Sequence, residues 1–324
     1  MIVVTGGAGF IGSAIVWRLN QEDIRDIIIV DHLSTSDKWE NLSSLYFRDY
    51  IEKDEFLKLV EQDKDIPGLE AIFHMGARSD TLEKDAGFLI DNNFRYSKVL
   101  AQYAIKRGIK FIYASSAATY GDGRLGFDDN EVLLHSLRPL NPYAFSKHIF
   151  DLWVYENNLL RNVIGLKFFN VYGPNEYHKG EMRSKVLKAY EEVKSTGKIR
   201  LFKSYNPEFK DGEQKRDFIY IKDVVEIVMF LYKSENAHGI YNVGTGRAHS
   251  WLDLANAVFK ALNMEPQIEF VDMPEWLKPR YQYFTQANIS KLRRLGYPGK
   301  FYTFENAVSE YIRDYIEKDR HLGD

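Results

Sequence analysis

Thr5-Gly6-Gly7-Ala8-Gly9-Phe10-Ile11-Gly12-Ser13 is the stretch from which the fold of this chain is read. It follows an apolar, β-branched run, Met1 to Thr5, and leads into Ile11, Ile15, Val16 and Leu19, spaced for one face of a helix. Gly7, Gly9 and Gly12 match the G-x-G-x-x-G spacing of a dinucleotide-binding turn. A strand, a glycine turn and a helix in that order set bare backbone amides and a helix N-terminus where a pyrophosphate can sit. Gly6, Gly9, Phe10, Ile11 and Gly12 are therefore candidate cofactor contacts.

Further strands follow at regular intervals. Asp26 to Val30 is apolar and ends in Asp31, 19 residues beyond Gly12, where a carboxylate can accept hydrogen bonds from an adenosine ribose. On its own this argues for NAD over NADP, since the charge repels a 2′-phosphate. Lys38 and Lys53 lie downstream and offset that repulsion. A short third strand is expected near Leu45 to Phe47, and a fourth over Leu69 to His74, running into Met75-Gly76-Ala77-Arg78-Ser79. Small residues at a strand's C-terminal end let a ribose or phosphate approach closely, whereas His74 reads as a packed residue. Asn92 to Arg107 is helical, and a fifth strand, Ile109 to Tyr113, ends at Ala114-Ser115-Ser116. The alternation predicts an α/β fold, a Rossmann-like doubly wound parallel sheet with ligands at the strands' C-terminal ends. Asn141-Pro142-Tyr143-Ala144-Phe145-Ser146-Lys147 then opens a helix with a capping Asn and a Pro in the first turn. Tyr143 and Lys147 fall on one face, where the ammonium is expected to lower the phenol pKa.

Composition narrows the class. The chain has 324 residues, 45% hydrophobic and 27% charged, with a net charge of −3, which is ordinary for a globular protein and points to neither nucleic acid nor anionic lipid. It has no cysteine, so disulfides, thiol nucleophiles and Cys-ligated metals are excluded, and a reducing cytoplasmic setting is expected. An apolar strand at the very start leaves no room for a targeting segment, and no apolar run is long enough to cross a bilayer. The eight histidines show no ligand spacing, so no metal site is expected.

The glycine motif, the strand ending in Ser115-Ser116 and the Tyr143-x-x-x-Lys147 pair together resemble the extended short-chain dehydrogenase/reductase family. Arg216-Asp217-Phe218-Ile219-Tyr220-Ile221-Lys222-Asp223 and Asn242-Val243-Gly244-Thr245-Gly246 match motifs of its nucleotide-sugar enzymes. The resemblance runs nearly the whole length. It implies a dinucleotide-binding domain over 1–170 and a mainly substrate-binding lobe over 171–324, interleaved with the last sheet elements. It also implies that Tyr143 is a general acid/base, that Ser116 hydrogen-bonds the reacting oxygen, and that Lys147 binds the nicotinamide ribose.

Dehydratases of this family place a carboxylate after the fifth strand, and Ser116-Ala117-Ala118-Thr119-Tyr120 has none, which leaves epimerisation or simple redox. Asn175-Glu176-Tyr177-His178-Lys179-Gly180 and Arg280-Tyr281-Gln282-Tyr283-Phe284-Thr285-Gln286 resemble the branch that epimerises an ADP-heptose at its exocyclic carbon. By that resemblance Lys179 is a second acid/base and the cofactor is NADP, with NAD as the alternative. Further cofactor contacts are His32, Met75, Gly76, Ala77, Arg78, Ser79, Asn92 and Val171, and a homo-oligomer, a pentamer, is implied. Asn170, Glu181, Lys188, Phe202, Lys203, Ser204, Tyr205, Arg216 and Tyr281 become candidate substrate contacts, with Arg280 beside Tyr281. Arg183, Lys185 and Lys188 lie on a helix expected over Met182 to Ser195, and the polar loop 206–215 bears on where Arg216 sits. Two other readings remain open: another nucleotide-sugar epimerase or reductase on the same scaffold, and a dinucleotide-binding protein without activity.

Overall fold

Every residue of the first strand, β1 (Ile2–Thr5), is buried, because a parallel sheet covered on both faces leaves no solvent side. The protein is represented by a computed structural model that describes residues 1–278 and 281–324. In chain order β1 is followed by α1 (Phe10–Asn20), β2 (Ile27–Asp31), β3 (Asp49–Glu52), α2 (Lys53–Glu61) and β4 (Ala71–His74). The chain continues through α3 (Ala86–Leu89), a π-helical stretch (Ile90–Arg95), α4 (Tyr96–Lys106), β5 (Lys110–Ser116), α5 (Pro142–Glu156) and β6 (Val163–Phe168). The second half holds β7 (Asn170–Tyr172), α6 (Lys185–Thr196), β8 (Ile199–Phe202), β9 (Lys215–Arg216), β10 (Phe218–Tyr220) and α7 (Ile221–Lys233). It ends with β11 (Gly239–Val243), β12 (His249–Ser250), α8 (Trp251–Ala261), β13 (Ile268–Val271), α9 (Ser290–Arg294) and α10 (Phe304–Glu310).

The main sheet has seven parallel strands in the order β11-β6-β5-β4-β1-β2-β3. Successive residues of β1 enter opposite cores: Ile2 and Val4 pack with Ile15 of α1 and Val224 of α7, and Val3 packs with Phe56 of α2, Leu100 of α4 and Phe150 of α5. Strand order reverses between β1 and β4, so the crevice for a ligand opens there, as the doubly wound reading expects. Three small pairs, β7 with β10, β8 with β13 and β9 with β12, carry the elements of the second half.

The third strand is not where the sequence pattern puts it. Leu45 to Phe47 is an irregular segment in which Asn20 takes the backbone groups of Tyr46: its Oδ1 accepts from Tyr46 N at 2.8 Å and its Nδ2 donates to Tyr46 O at 2.9 Å. Asp49–Glu52 forms the strand instead, an edge strand too exposed to show an apolar run. The helix expected from Met182 begins at Lys185, because the Ser184 hydroxyl caps it by accepting from Leu187 N. The Asn141 cap holds as read, accepting from Ala144 N at 2.8 Å.

A buried ion pair joins α5 to β6. Asp151 and Lys167 are 0% and 1% exposed, with Lys167 Nζ 3.2 Å from Asp151 Oδ2. Asp151 also accepts from Tyr113 OH at 2.9 Å and Ser115 Oγ at 2.7 Å, and Lys167 donates to Thr119 Oγ1 at 2.6 Å. Burial draws the Lys167 ammonium down and Asp151 opposes it. Asp151→Ala strands a buried cation and is expected to lower the unfolding free energy by about 3–5 kcal/mol in denaturant titration. Lys188→Ala, which breaks a more exposed pair with Glu181, is expected to cost about 0–1 kcal/mol. Equal losses in the two variants would contradict this account of the pair.

Candidate active site

The glycine turn is built by a close approach of two loops. Gly6 has φ +65°, and a Cβ there would stand 2.6 Å from the amide nitrogen of Gly76, just beyond β4. A Cβ on Gly12 would overlap the Gly6 carbonyl, so α1 starts against the turn only because Gly12 is bare. Gly9 is the N-cap of α1 and makes no side-chain cap, which leaves the first amides, at Phe10 and Ile11, to meet an anion. These features fit a dinucleotide pyrophosphate.

Asp31 ends β2 and is buried against this turn. Its Oδ2 accepts from Ala8 N at 2.9 Å, and its Oδ1 accepts from His32 N at 2.7 Å and Lys38 Nζ at 2.6 Å. The acidic residue therefore braces the glycine turn and is itself neutralised by Lys38. Beside it His32 Nδ1 lies 2.8 Å from Glu52, and Lys53 donates to Asn92 Oδ1 at 3.0 Å. Past β4, Met75 N donates to Thr5 O at 3.0 Å and Arg78 N to Asn93 Oδ1 at 2.8 Å, with the Arg78 side chain on Asp80. His74 is buried between Thr5 Oγ1 and Ser97 Oγ at 2.6 and 2.8 Å, and desolvation draws it down to about 3, as befits the packed residue expected. Gly76, Ala77 and Ser79 belong to the same strand-end loop, and Val171 is half-buried on β7.

Ser116 closes β5. Its Oγ accepts from Ala118 N at 3.1 Å, which leaves its own O–H free to donate. Tyr143 and Lys147 lie on the buried face of α5. Burial pushes the Tyr143 phenol up and Ser116 opposes that shift. The expected lowering by the neighbouring ammonium is not found, since Lys147 Nζ is engaged by the Ala114 carbonyl at 2.7 Å. Desolvation draws Lys147 down to about 8, against the pull of Asp151 one turn along.

Lys179 stands in a 3-10 turn, Tyr177–Met182, and is half-buried. Its Nζ lies 5.3 Å from the centre of the Phe10 ring, at the start of α1. Among the described residues no carboxylate comes within ion-pair distance of it. Burial lowers its pKa and Glu176 opposes this. That direction is the one an acid/base lysine requires.

The expected substrate contacts divide. Arg216, on β9, is buried with its guanidinium 5.6 Å from the Trp251 ring and 5.4 Å from the Tyr281 ring, and no carboxylate among the described residues pairs with it. The loop 206–215 folds back through Asp211, which accepts from Ser204 N at 2.6 Å, so its length leaves Arg216 in place. Phe202 meets Tyr281 edge-on at 6.5 Å, and Asn170 is exposed on β7. Lys188 is paired with Glu181 at 2.8 Å, and Asp272 takes both Lys203 at 3.1 Å and the Tyr205 hydroxyl at 2.9 Å. Arg280 lies outside the described residues.

Sequence reading missed the polar side chains that fix these parts. Asn41, Asn93, Asn175 and Glu176 are each 2% exposed or less. Glu176 accepts from Gly173 N, Ser184 Oγ and Tyr311 OH at 3.2, 2.7 and 3.0 Å. None sits in a motif that signals its partners.

The sequence pattern of the NAD dependent epimerase/dehydratase family matches residues 2–244. The chain is 52% identical to the ADP-L-glycero-D-manno-heptose-6-epimerase of Nitratidesulfovibrio vulgaris, over 99% of this chain and 100% of that one. Among solved structures it is similar to the ADP-L-glycero-D-manno-heptose-6-epimerase of Helicobacter pylori (27% identity, TM-score 0.78, 97% of this chain and 95% of that one). It is also similar to the UDP-glucose 4-epimerase of Thermus thermophilus in complex with NAD (25% identity, TM-score 0.74, 96% and 97%).

Gly6→Ala is expected to weaken dinucleotide binding at least about tenfold in isothermal titration, a difference of about 1.4 kcal/mol. Gly68→Ala serves as the control, because Gly68 has φ +76° with nothing near its Cβ position and carries the backbone strain alone. Equal affinities in the two variants would count against the close approach at Gly6.

Proposed function

The chain belongs to the NAD dependent epimerase/dehydratase family, and from that membership we propose that it is an isomerase converting ADP-D-glycero-D-manno-heptose to ADP-L-glycero-D-manno-heptose by inversion at C6″. The observation that carries this reading is Lys179: a half-buried ammonium, with no carboxylate partner among the described residues, whose Nζ lies 5.3 Å from the Phe10 ring at the start of α1.

The chemistry follows from which atoms must move. The bound nicotinamide supplies a hydride acceptor that returns the same hydride. Tyr143, as phenolate, takes the C6″ hydroxyl proton while Ser116 donates to the oxygen that becomes a carbonyl. Lys147 binds the nicotinamide ribose, and the Ser116 hydroxyl is the group that opposes the upward shift of the Tyr143 phenol. Rotation about C5″–C6″ then carries the oxygen of the 6″-ketone to the other side, beyond reach of Tyr143. Lys179 delivers the proton there as the hydride returns to the opposite face. Each turnover thus moves one proton from Lys179 to Tyr143, and solvent resets both groups. Arg216, a buried guanidinium without a carboxylate, takes the diphosphate, a role its planar donor fork suits. Asn170, Phe202, Lys203, Ser204, Tyr205 and Tyr281 complete the substrate side, most of them in a lobe built mainly from 171–324.

The cofactor is a nicotinamide dinucleotide, and we take it to be NADP. Asp31 alone repels a 2′-phosphate, but its charge is met by Lys38 at 2.6 Å, and Lys53 stands nearby. A pentameric assembly rests on the resemblance, and action in the cytoplasm on the lack of cysteine, which suits a reducing compartment. No helix among the described residues is long and apolar enough to cross a membrane.

The direct test is to identify the copurifying dinucleotide and to follow the C6″ configuration of ADP-D-glycero-D-manno-heptose by NMR. Retained configuration with a folded, cofactor-loaded protein would falsify the assignment. Lys179→Met is expected to lower kcat by about 10²-fold or more, and an unchanged rate would refute the two-base scheme. Lys38→Ala is expected to cost NADP more affinity than NAD by about 1–2 kcal/mol, the scale of one hydrogen bond to a charged group. Equal losses for the two cofactors would remove Lys38 from the 2′-phosphate.

A further inference from the structure

Asn41 lies in the short 3-10 turn Asp37–Leu42 after β2 and is 2% exposed. Its side-chain nitrogen stands within reach of three acceptors on two segments: Ala8 O in the glycine turn at 2.9 Å, and Asn175 O at 3.1 Å and His178 Nδ1 at 3.2 Å in the stretch leading to Lys179. Burial, with Lys179 and Lys38 close by, draws His178 down to about 4, so the ring is neutral and its Nδ1 accepts. Asn175 and His178 both precede Lys179 in the chain, and the amide of Lys179 donates to Glu176 O at 3.0 Å.

A lysine needs this help. Its stem is flexible, and Gly180 after it sits at φ +52°. The Lys179 ammonium makes only the contact with the Phe10 ring and no ion pair among the described residues, so its placement is set by the backbone that carries it. The turn holding Asn41 also carries Lys38, which clasps Asp31. One turn thus touches the ribose end of the cofactor site, the glycine turn and the Lys179 segment.

We propose that Asn41 is a positioning residue for Lys179, tying the Lys179 turn to the glycine loop so that the second acid/base is held in register with the bound dinucleotide. The proposal rests on the reading of Lys179 as that acid/base, and the test below separates the two. With one C6″ epimer the first proton goes to Tyr143, and with the other it goes to Lys179. The burst of reduced nicotinamide on mixing enzyme with each pure epimer, followed by absorbance, therefore reports on each side alone.

Asn41→Ala is expected to slow the burst on the order of tenfold to a hundredfold with the epimer that Lys179→Met also slows, and to leave the other within about twofold. Asn41→Ser, which still reaches one acceptor, is expected to fall between and serves where the Ala variant does not fold. Equal slowing with both epimers, or none with either, in a variant that binds cofactor normally overturns the Asn41 assignment alone, provided Lys179→Met is asymmetric. Symmetric bursts in Lys179→Met overturn the two-base reading and the assignment with it.

Discussion

The contact between the Gly6 turn and Gly76 is the constraint on which the site depends. β1 and β4 are neighbours at the reversal of strand order, so the loops leaving them meet over the crevice. Only bare backbone lets them meet: Gly6 is left-handed and has no room for a side chain, and Gly12 brings α1 in against it. Asp31 then locks the arrangement from β2 by accepting from Ala8 N. A carboxylate there has a structural duty before it has any role toward a ribose. The sheet thus brings the ends of β1, β2, β4 and β5 to one edge, and Gly6, Asp31, Gly76 and Ser116 follow because each sits within a few positions of a strand end, whereas Tyr143 and Lys147 come from α5.

Desolvation is the term that dominates the site's electrostatics. It is the largest influence on Tyr143, Lys147, Lys179 and Arg216, and in each case it favours the neutral form. What differs is the opposing charge. Lys147 has Asp151 along its own helix, Lys179 has Glu176, and Arg216 has only the Tyr281 hydroxyl and aromatic faces. Asp151 in turn is held by Lys167, so the charge of Lys147 is set by a pair fully inside the protein. An ion pair buried to this depth is weak evidence for net stability, since desolvating both partners offsets much of their attraction. Its more certain effect is geometric. Through Ser115 and Thr119 it fixes the turn that presents Ser116, and Thr119 also donates to the Ser116 carbonyl at 2.8 Å.

The sheet was legible because its signals are local and periodic: buried β-branched runs, a glycine spacing, and a capping Asn followed by Pro. The failure at β3 shows where that ends. An edge strand with half-exposed residues has no apolar run, and the run just before it, Leu45 to Phe47, is an irregular segment held by Asn20 from α1, a partner 26 residues away from Tyr46. The site divides along the same line. Gly12, Asp31, Ser116 and Tyr143 sit in spacings that state their chemistry. Asn41 and Glu176 do not, since a buried amide or carboxylate is defined by partners brought from distant segments, such as Ala8 and His178 or Ser184 and Tyr311.

Asp31 shows how a rule stated for one residue depends on the charges around it. An acid at the end of β2 discriminates against a 2′-phosphate through its net charge. Unit charges about 4 Å apart interact by about 4 kcal/mol at the effective dielectric of a protein surface. Yet Lys38 lies closer to that carboxylate than any phosphate would, and it also donates to the His32 carbonyl at 2.8 Å, which fixes it in place. Seen from outside, the pair is a dipole with its cation still partly exposed. The field at the ribose end is then set by the sum of Asp31, Lys38 and Lys53, so cofactor preference here is a property of the cluster rather than of the acidic residue.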